Sequence, residues 1–305
     1  MTSSEAVPDT AVGIDVGGTT IKGELVDRAG RVLATARRPT PGSDAVLAAI
    51  GELGDELLGE AGTRGVAGAG VVVPGLVDPR AGVATYSANI GWRDLQLTDP
   101  LAARWRTPVR LGHDVAAAAA AETRHGAGRS ESHVAFVVIG TGIAAAVVSG
   151  GRLVSGPRGE IAELGHVPVR TAPRCACGGD GCLEAVASAS AIAERYTELS
   201  GGTTHGAADV VARLHSDPVA REVWQDAIEA LADGIAVLSL LVAPEVVVVG
   251  GGLAVAGPDL IDPLGHAVKQ RTRVVAPARV AVAQLGDRGG VVGAALLAFD
   301  EWTTR

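Results

Sequence analysis

Lysine is almost absent. Lys22 and Lys269 are the only two in 305 residues, so arginine carries nearly all the positive charge. The Ala- and Gly-rich composition, with 42 glycines, ascribes this bias to a GC-rich genome rather than to an arginine-specific function. No apolar run is long enough to form a transmembrane helix. The N-terminal stretch MTSSEAVPDT has neither a charged n-region nor an apolar h-region, so the expected compartment is the cytoplasm. A net charge of -8 gives no support to binding nucleic acid or an anionic membrane. Cysteine is scarce as well. Three is an odd number, which cannot close into internal disulfides, and reduced thiols agree with a cytoplasmic chain.

Those three cysteines are concentrated. Cys175, Cys177 and Cys182 all lie in the stretch CACGGDGCLE, with His166 shortly upstream. Three thiolates and one imidazole at loop distance meet the requirement of a tetrahedral Cys3His zinc site. Gly178, Gly179 and Gly181 let the backbone fold back so that the sulfurs converge on one ion.

A length of 305 residues suggests two domains, and two segments resemble each other. VGIDVGGTTIKGELVDRAGRVL (12–33) reads as strand, Gly turn, strand, short turn, strand, and VAFVVIGTGIAAAVVSGGRLV (134–154) repeats that plan. Both Gly turns carry the hairpin signal between β-branched runs. Each meander leads into alternating helices and strands. The spacing predicts helices over Ala45–Glu60, Ala187–Glu198 and Arg221–Leu241, and extended chain over Val66–Val73, Pro108–Leu111 and Val246–Val249. The Ala-rich stretch 115–121 is read as a helix, as is the apolar run Gly289–Trp302, which is placed back on the first domain. The expected architecture is α/β, two similar domains around a cleft. Residues 1–112 with the C-terminal helix (about 289–305) form a small domain, and 113–288 a large one that carries the zinc loop.

Three glycine clusters suit phosphate or nucleotide. In Asp15-Val16-Gly17-Gly18-Thr19-Thr20, glycines without Cβ let phosphate oxygens reach backbone N–H groups, the threonine hydroxyls add donors, and Asp15 is placed to hold Mg2+. Gly140-Thr141-Gly142 is the second copy of that turn, so the pair would grip a polyphosphate from both sides. Gly250-Gly251-Gly252 follows an apolar strand and either admits a base or ribose closely or is an ordinary turn. Asp114 opens the Ala-rich helix. It is a favoured N-cap there, and equally a carboxylate at a strand end able to take a proton from a substrate hydroxyl. Glu163 and Glu184, near the cysteine loop, are either solvated groups or partners for a polyhydroxylated ligand.

Taken together, DVGGTT at 15–20, Pro74-Gly75 followed by Asp78, NIGW at 89–92, Asp114, GTG at 140–142, ELGH at 163–166, the CACGGDGC loop and VVGGG at 248–252 resemble the ROK family of sugar kinases and sugar-responsive regulators over almost the whole chain. The resemblance implies the actin-like ATPase (ribonuclease H-like) duplication and an ATP- and Mg2+-dependent hexose kinase, with glucose the leading substrate and its 6-hydroxyl the acceptor. It makes Asp114 the general base and a structural zinc the support of the sugar pocket. Glu163, His166 and Glu184 would hold sugar hydroxyls, and Gly75, Asn89 and His113 would line the same pocket. It also implies a homodimer or homotetramer. N-acetylglucosamine, N-acetylmannosamine and fructose are alternative acceptors, and a catalytically weak sugar sensor is the alternative function. A family repressor would carry a helix-turn-helix ahead of the first strand, where only about ten residues stand, fewer than that three-helix module needs. Two departures stand out. Gly112-His113-Asp114 replaces the usual Glu-Asn-Asp, which leaves the hexose open. Ile143-Ala144-Ala145-Ala146 replaces a Gly-rich continuation, with methyl groups that either narrow the phosphate channel or pack beneath it.

Overall fold

The computed structural model describes residues 8–62, 65–156, 162–169 and 173–299. The expected helix end at Trp302, the N-terminal stretch and Glu160 lie in part or wholly outside them. The described residues fall into two compact units. One comprises Met1–Ala121, Arg152–Glu160 and Asp287–Arg305, the other Glu122–Gly151 and Ile161–Gly286.

The first unit begins with the meander β1 (Thr10–Val16), β2 (Thr20–Asp27) and β3 (Val32–Pro39), followed by α1 (Ser43–Ala61) and β4 (Ala69–Val73). A small sheet of β5 (Leu76–Asp78), β6 (Val83–Tyr86) and β7 (Arg93–Gln96) comes next, then α2 (Thr98–Trp105), β8 (Val109–His113) and α3 (Asp114–His125). The main sheet runs β3-β2-β1-β4-β8, with β1 antiparallel to β2 and parallel to β4, and β4 parallel to β8. Every residue of Ala69–Val73 is buried, as expected of a central strand covered on both faces. α1 meets α2 through a notch. A Cβ at Gly54 would stand 2.1 Å from the Trp105 ring, whose indole N–H donates to Gly51 O at 3.1 Å.

The second unit holds β9 (Val134–Ile139) and β10 (Ile143–Ser149), whose sheet takes as its edge β11 (Arg152–Leu153, from the segment grouped with the first unit), then α4 (Glu184–Ala187), α5 (Ala189–Ser200), α6 (Ala207–Ala212) and α7 (Pro218–Val242). It continues with β12 (Val246–Gly250), α8 (Pro258–Arg271) and β13 (Arg279–Val282). Its sheet runs β11-β10-β9-β12-β13. In both sheets the order along the chain is third, second, first, fourth, fifth, so the internal repeat read from sequence is a repeat of topology.

The last helix, α9 (Gly289–Ala298), returns to the first unit and lies on β1 and β4. Its backbone comes so close that side chains are excluded from the sheet beneath. A Cβ at Gly13 would be 2.4 Å from Val291 O, and one at Gly70 only 1.9 Å from Ala294 O.

Four local expectations are corrected. The chain leaves the first unit at Ala121, within α3, rather than at residue 113. The start of α3 packs on α9, where a Cβ at Gly293 would meet Ala117 O at 2.0 Å, whereas Glu122 accepts the N–H groups of Ala127 and Leu285 in the second unit. The helix expected over Ala187–Glu198 breaks at Ser188, which is extended. Its hydroxyl caps α5 by accepting Ala191 N–H, while Ala189 N–H goes to Gly140 O. Extended chain over Val66–Val73 becomes strand only from Ala69. The turn glycines Gly17, Gly18, Gly140 and Gly142 do not adopt the positive φ of two-residue hairpin turns, so backbone conformation is not what requires them.

Candidate functional site

The cysteine loop folds back on itself through two left-handed glycines, Gly178 (φ 90°) and Gly181 (φ 77°). Cys175 N–H donates to Gly179 O, Gly178 N–H to Cys175 O, and Gly179 N–H to Cys177 Sγ. His166 comes from the short 3-10 turn Leu164–His166, and Cys182 forms an isolated β-bridge with Pro168, two residues beyond that turn. The ligand atoms of His166, Cys175, Cys177 and Cys182 all lie within 4.8 Å of one another. Cys177 Sγ and Cys182 Sγ are 3.7 Å apart, and Cys175 Sγ is 3.9 Å from His166 Nδ1. Two thiolates at ~2.3 Å from a tetrahedral ion would stand ~3.8 Å apart, so the donor set fits a four-coordinate metal. Nδ1 of His166 is the ring nitrogen that approaches the Cys175 sulfur, and the residue as a whole is exposed.

Two residues beyond the last cysteine, Glu184 opens α4 and accepts Ile143 N–H through Oε2 at 2.8 Å. A Cβ at Gly142 would lie 2.5 Å from that oxygen, and one at Gly165 2.2 Å from Ile143 O. The cysteine loop, the Gly140-Thr141-Gly142 turn and the Glu163–His166 turn thus converge on one carboxylate. Gly251, at φ 85°, backs onto the end of β9, where a Cβ would be 2.4 Å from Ile139 O. The two glycine turns of this unit are therefore neighbours. Gly250 is buried under Phe136, whereas Gly252 and Gly140 face open space, with nothing within 4 Å of a Cβ. Ile143, Ala145 and Ala146 are buried in β10 and Ala144 is half-buried. Glu163 and His166 are exposed, one turn apart.

In the first unit, β1, β4 and β8 are adjacent and parallel, so their carboxyl ends share one edge. That edge carries Asp15, then Gly75 two residues past β4, then His113 and Asp114. Ligands of open α/β sheets sit at such edges. The turn Gly17–Thr20 is closed by Gly17 N–H to Thr20 O and braced by the Thr40 hydroxyl on Gly17 O, leaving Gly18 and Thr19 exposed. Asn89 stands beside it, 3.7 Å from where a Gly18 Cβ would be. Gly75 has φ 93° and lies against Tyr86 O. Asp78 is bound within its own turn, accepting the N–H groups of Arg80 and Ala81.

Burial pushes the Asp15 carboxyl up to about 7, with the charge of Asp114 and, more weakly, Asp287 adding to the shift and Lys22 opposing it. Asp114 is likewise raised, chiefly by burial, although 31% of its side chain stays open to solvent; the ring of His113 and the N–H of Val115 pull it back. Asp114 is the first residue of α3 and accepts Val115 N–H at 2.7 Å, so it does not act as an N-cap reaching the second or third helical N–H.

Sequence reasoning missed the charged group around Asp15. Lys22 lies directly opposite it in the β1–β2 register and binds the carboxylate and carbonyl of Asp287, which also takes Arg37. Arg288 forks onto Glu24. Gly290 leaves room for Asp15, whose Oδ2 would be 2.5 Å from a Cβ there. The hairpin register gives away Lys22. Nothing local announces Asp287 or Arg288, which arrive from the far end of the chain.

Residues 11–301 match the ROK family. Over 312 residues the chain is 34% identical to a glucokinase of Halalkalibacterium halodurans, covering 92% of each. It superposes on a ROK hexokinase from Thermus thermophilus with a TM-score of 0.87 at 33% identity, spanning 96% of this chain and 98% of that one. A ROK family glucokinase from Streptomyces griseus, solved with glucose and AMPPNP, gives a TM-score of 0.79 at 30% identity over 95% and 99% of the two chains. The twice-repeated sheet order is that of the actin-like ATPase fold, and the chain belongs to the ROK family.

Proposed function

We propose that this protein is an ATP-dependent hexose kinase that phosphorylates the 6-hydroxyl of glucose or a related hexose. The observation that carries the reading is the shared strand edge holding Asp15, Gly75 and Asp114 beside the open turn at Gly18. It is supported by the glucokinase relatives and by the glucose and AMPPNP bound to the Streptomyces griseus protein.

Asp114 is the base. Its carboxylate orients the attacking hydroxyl and receives its proton late, as suits a loose phosphoryl-transfer transition state in which positioning outweighs base strength. The turns Gly17-Gly18-Thr19-Thr20 and Gly140-Thr141-Gly142 take the phosphates, with the N–H groups of Gly17 and Gly140 spent on closing those turns, and Gly250, Gly251 and Gly252 make room for the nucleoside. Asp15 would hold Mg2+, which when bound neutralises phosphate charge. Glu163, His166, Glu184, Asn89, Gly75 and His113 contact the sugar. His166, Cys175, Cys177 and Cys182 would hold a structural Zn2+, and His166 then offers Nε2 in a fixed orientation. Glu184 uses Oε2 on Ile143 N–H and retains Oε1 for a ligand.

Among the described residues no helix is long and apolar enough to cross a membrane, and a cytoplasmic enzyme is proposed. Exposed Val237, Leu240 and Leu241 at the end of α7 favour a homo-oligomer, for which light scattering is the check. A coupled assay with ATP and Mg2+ over glucose, fructose, N-acetylglucosamine and N-acetylmannosamine tests the reading. ADP release with glucose is expected, whereas sugar binding without ADP release would favour the catalytically weak sensor.

A further inference from the structure

Val115 N–H is shared by two acceptors, His113 Nδ1 at 3.2 Å and Asp114 Oδ1 at 2.7 Å. A donor N–H requires a lone pair on Nδ1, so the neutral ring carries its proton on Nε2. Nδ1 and Oδ1 are themselves only 3.3 Å apart. Two lone-pair atoms are thus held face to face by one donor lying between them. One added proton reverses that relation, because an Nδ1–H at this distance points its hydrogen at Oδ1 and forms a charge-assisted bond, stronger than the neutral contact it replaces.

We propose that His113 is a positioning residue for Asp114: the neutral ring leaves the carboxylate free and anchored by the shared N–H, and the protonated ring captures Oδ1 and withdraws it from the reaction. The inference rests on the reading of Asp114 as the base. His113 stands at the end of β8, in register with Val73, and Asp114 at the start of α3 with no loop between them, so the two backbone positions are held side by side.

The surroundings leave the pair to each other. Among the described residues of the first unit, the charged group set against Asp114 from the sheet is Asp15 of β1, beyond the intervening β4, itself set against Lys22 of β2 and Asp287 ahead of α9. β4 brings Val73 to this level and α9 brings Gly289 against Ala118. β5 and α2, which also pack on β8, carry Asp78, bound within its turn, and Asp99 and Arg104, the latter paired with Asp55. Arg110, on β8 itself, donates to Leu297 O. The charge of a protonated His113 lowers the Asp114 carboxyl against the burial that raises it.

The test uses the full chain without ligands. Long-range 15N–1H spectra of the imidazole rings, with His113→Asn to assign the signal, should show the neutral His113 ring protonated on Nε2, and Asp114→Asn should lower its titration midpoint by about one pH unit. A neutral ring protonated on Nδ1, or a midpoint unmoved in Asp114→Asn, overturns the proposal. Kinetics supply the second arm. The carboxamide oxygen of His113→Asn still accepts Val115 N–H but cannot titrate, so at pH 5.5 the variant should keep about tenfold more of its pH 8 kcat than the wild type keeps. An acid limb that is unchanged, or displaced to higher pH, overturns the proposal. The spectra need no turnover, so absence of hexose phosphorylation would count against the proposed function while leaving the coupling of His113 to Asp114 measurable.

Discussion

The two units share a sheet order and differ in what their first turns carry. At the end of β1 stands Asp15, opposite Lys22, and the turn beyond it is braced only by backbone and Thr40. At the matching place in β9, one residue before its last, stands Val138, opposite Ala144, and the turn beyond it is pinned by Glu184. The first turn sits in a field of charges, while the second is apolar beneath and tied to a cysteine loop. On the proposed reading the duplication separates two tasks: one copy supplies the carboxylates that would act on a ligand, and the other a turn pinned by Glu184, two residues beyond the candidate metal cluster.

Disrupting that cluster should have the largest effect. Structural zinc contributes an apparent ~10–16 kcal/mol in small peptides, so stripping the metal or making Cys177→Ala should abolish activity and expose the loop to protease. Because Glu184 joins the loop to the turn at Ile143, nucleotide affinity should fall along with sugar affinity. Calorimetric titration of both ligands checks this, and an unchanged nucleotide affinity would mean that the turn stands without the loop. Elemental analysis should find about one zinc per chain.

Next come the glycines, which separate packing from ligand approach. Gly70→Ala drives a methyl group into the backbone of α9 and should destabilise the first unit by about 1–3 kcal/mol in chemical denaturation. Gly140→Ala meets nothing within 4 Å and needs no unusual φ, so its stability should stay within about 0.5 kcal/mol of wild type while its affinity for ATP drops. Equal losses of stability in the two variants would erase the distinction between the copies.

Much of this was legible in sequence because it is local. The meanders announce themselves by β-branched runs around Gly turns, and four metal donors close together in the chain are close in space. The Ser188 break was hidden because it depends on Ala189 N–H reaching Gly140 O, far along the chain. The lodging of α9 on β1 and β4 depends on Gly13 and Gly70, which look like any other glycines until the helix backbone is seen against them. The role of Asp114 was half legible: sequence placed it at the strand–helix junction but not at the first helical position, where its neighbour in space is the ring of His113.

A further effect is electrostatic and confined to high pH. A carboxyl raised to about 7 binds its proton more tightly in the folded than in the unfolded chain, so the stability it supports is lost as pH rises from about 4 through about 7. Asp15→Asn removes that loss. The ligand-free variant should be about 1–3 kcal/mol more stable than wild type at pH 8 and nearly equal at pH 4, by urea denaturation. Lower stability at pH 8 would mean that Lys22 outweighs burial and Asp114.

The division of labour is tested most directly by Asp114→Asn, measured for glucose binding and for turnover on the same preparation. Retained glucose affinity with kcat reduced by about two to four orders of magnitude is expected of a lost base. Turnover near that of the wild type would contradict the assignment of the chemistry to the carboxylates of the first unit.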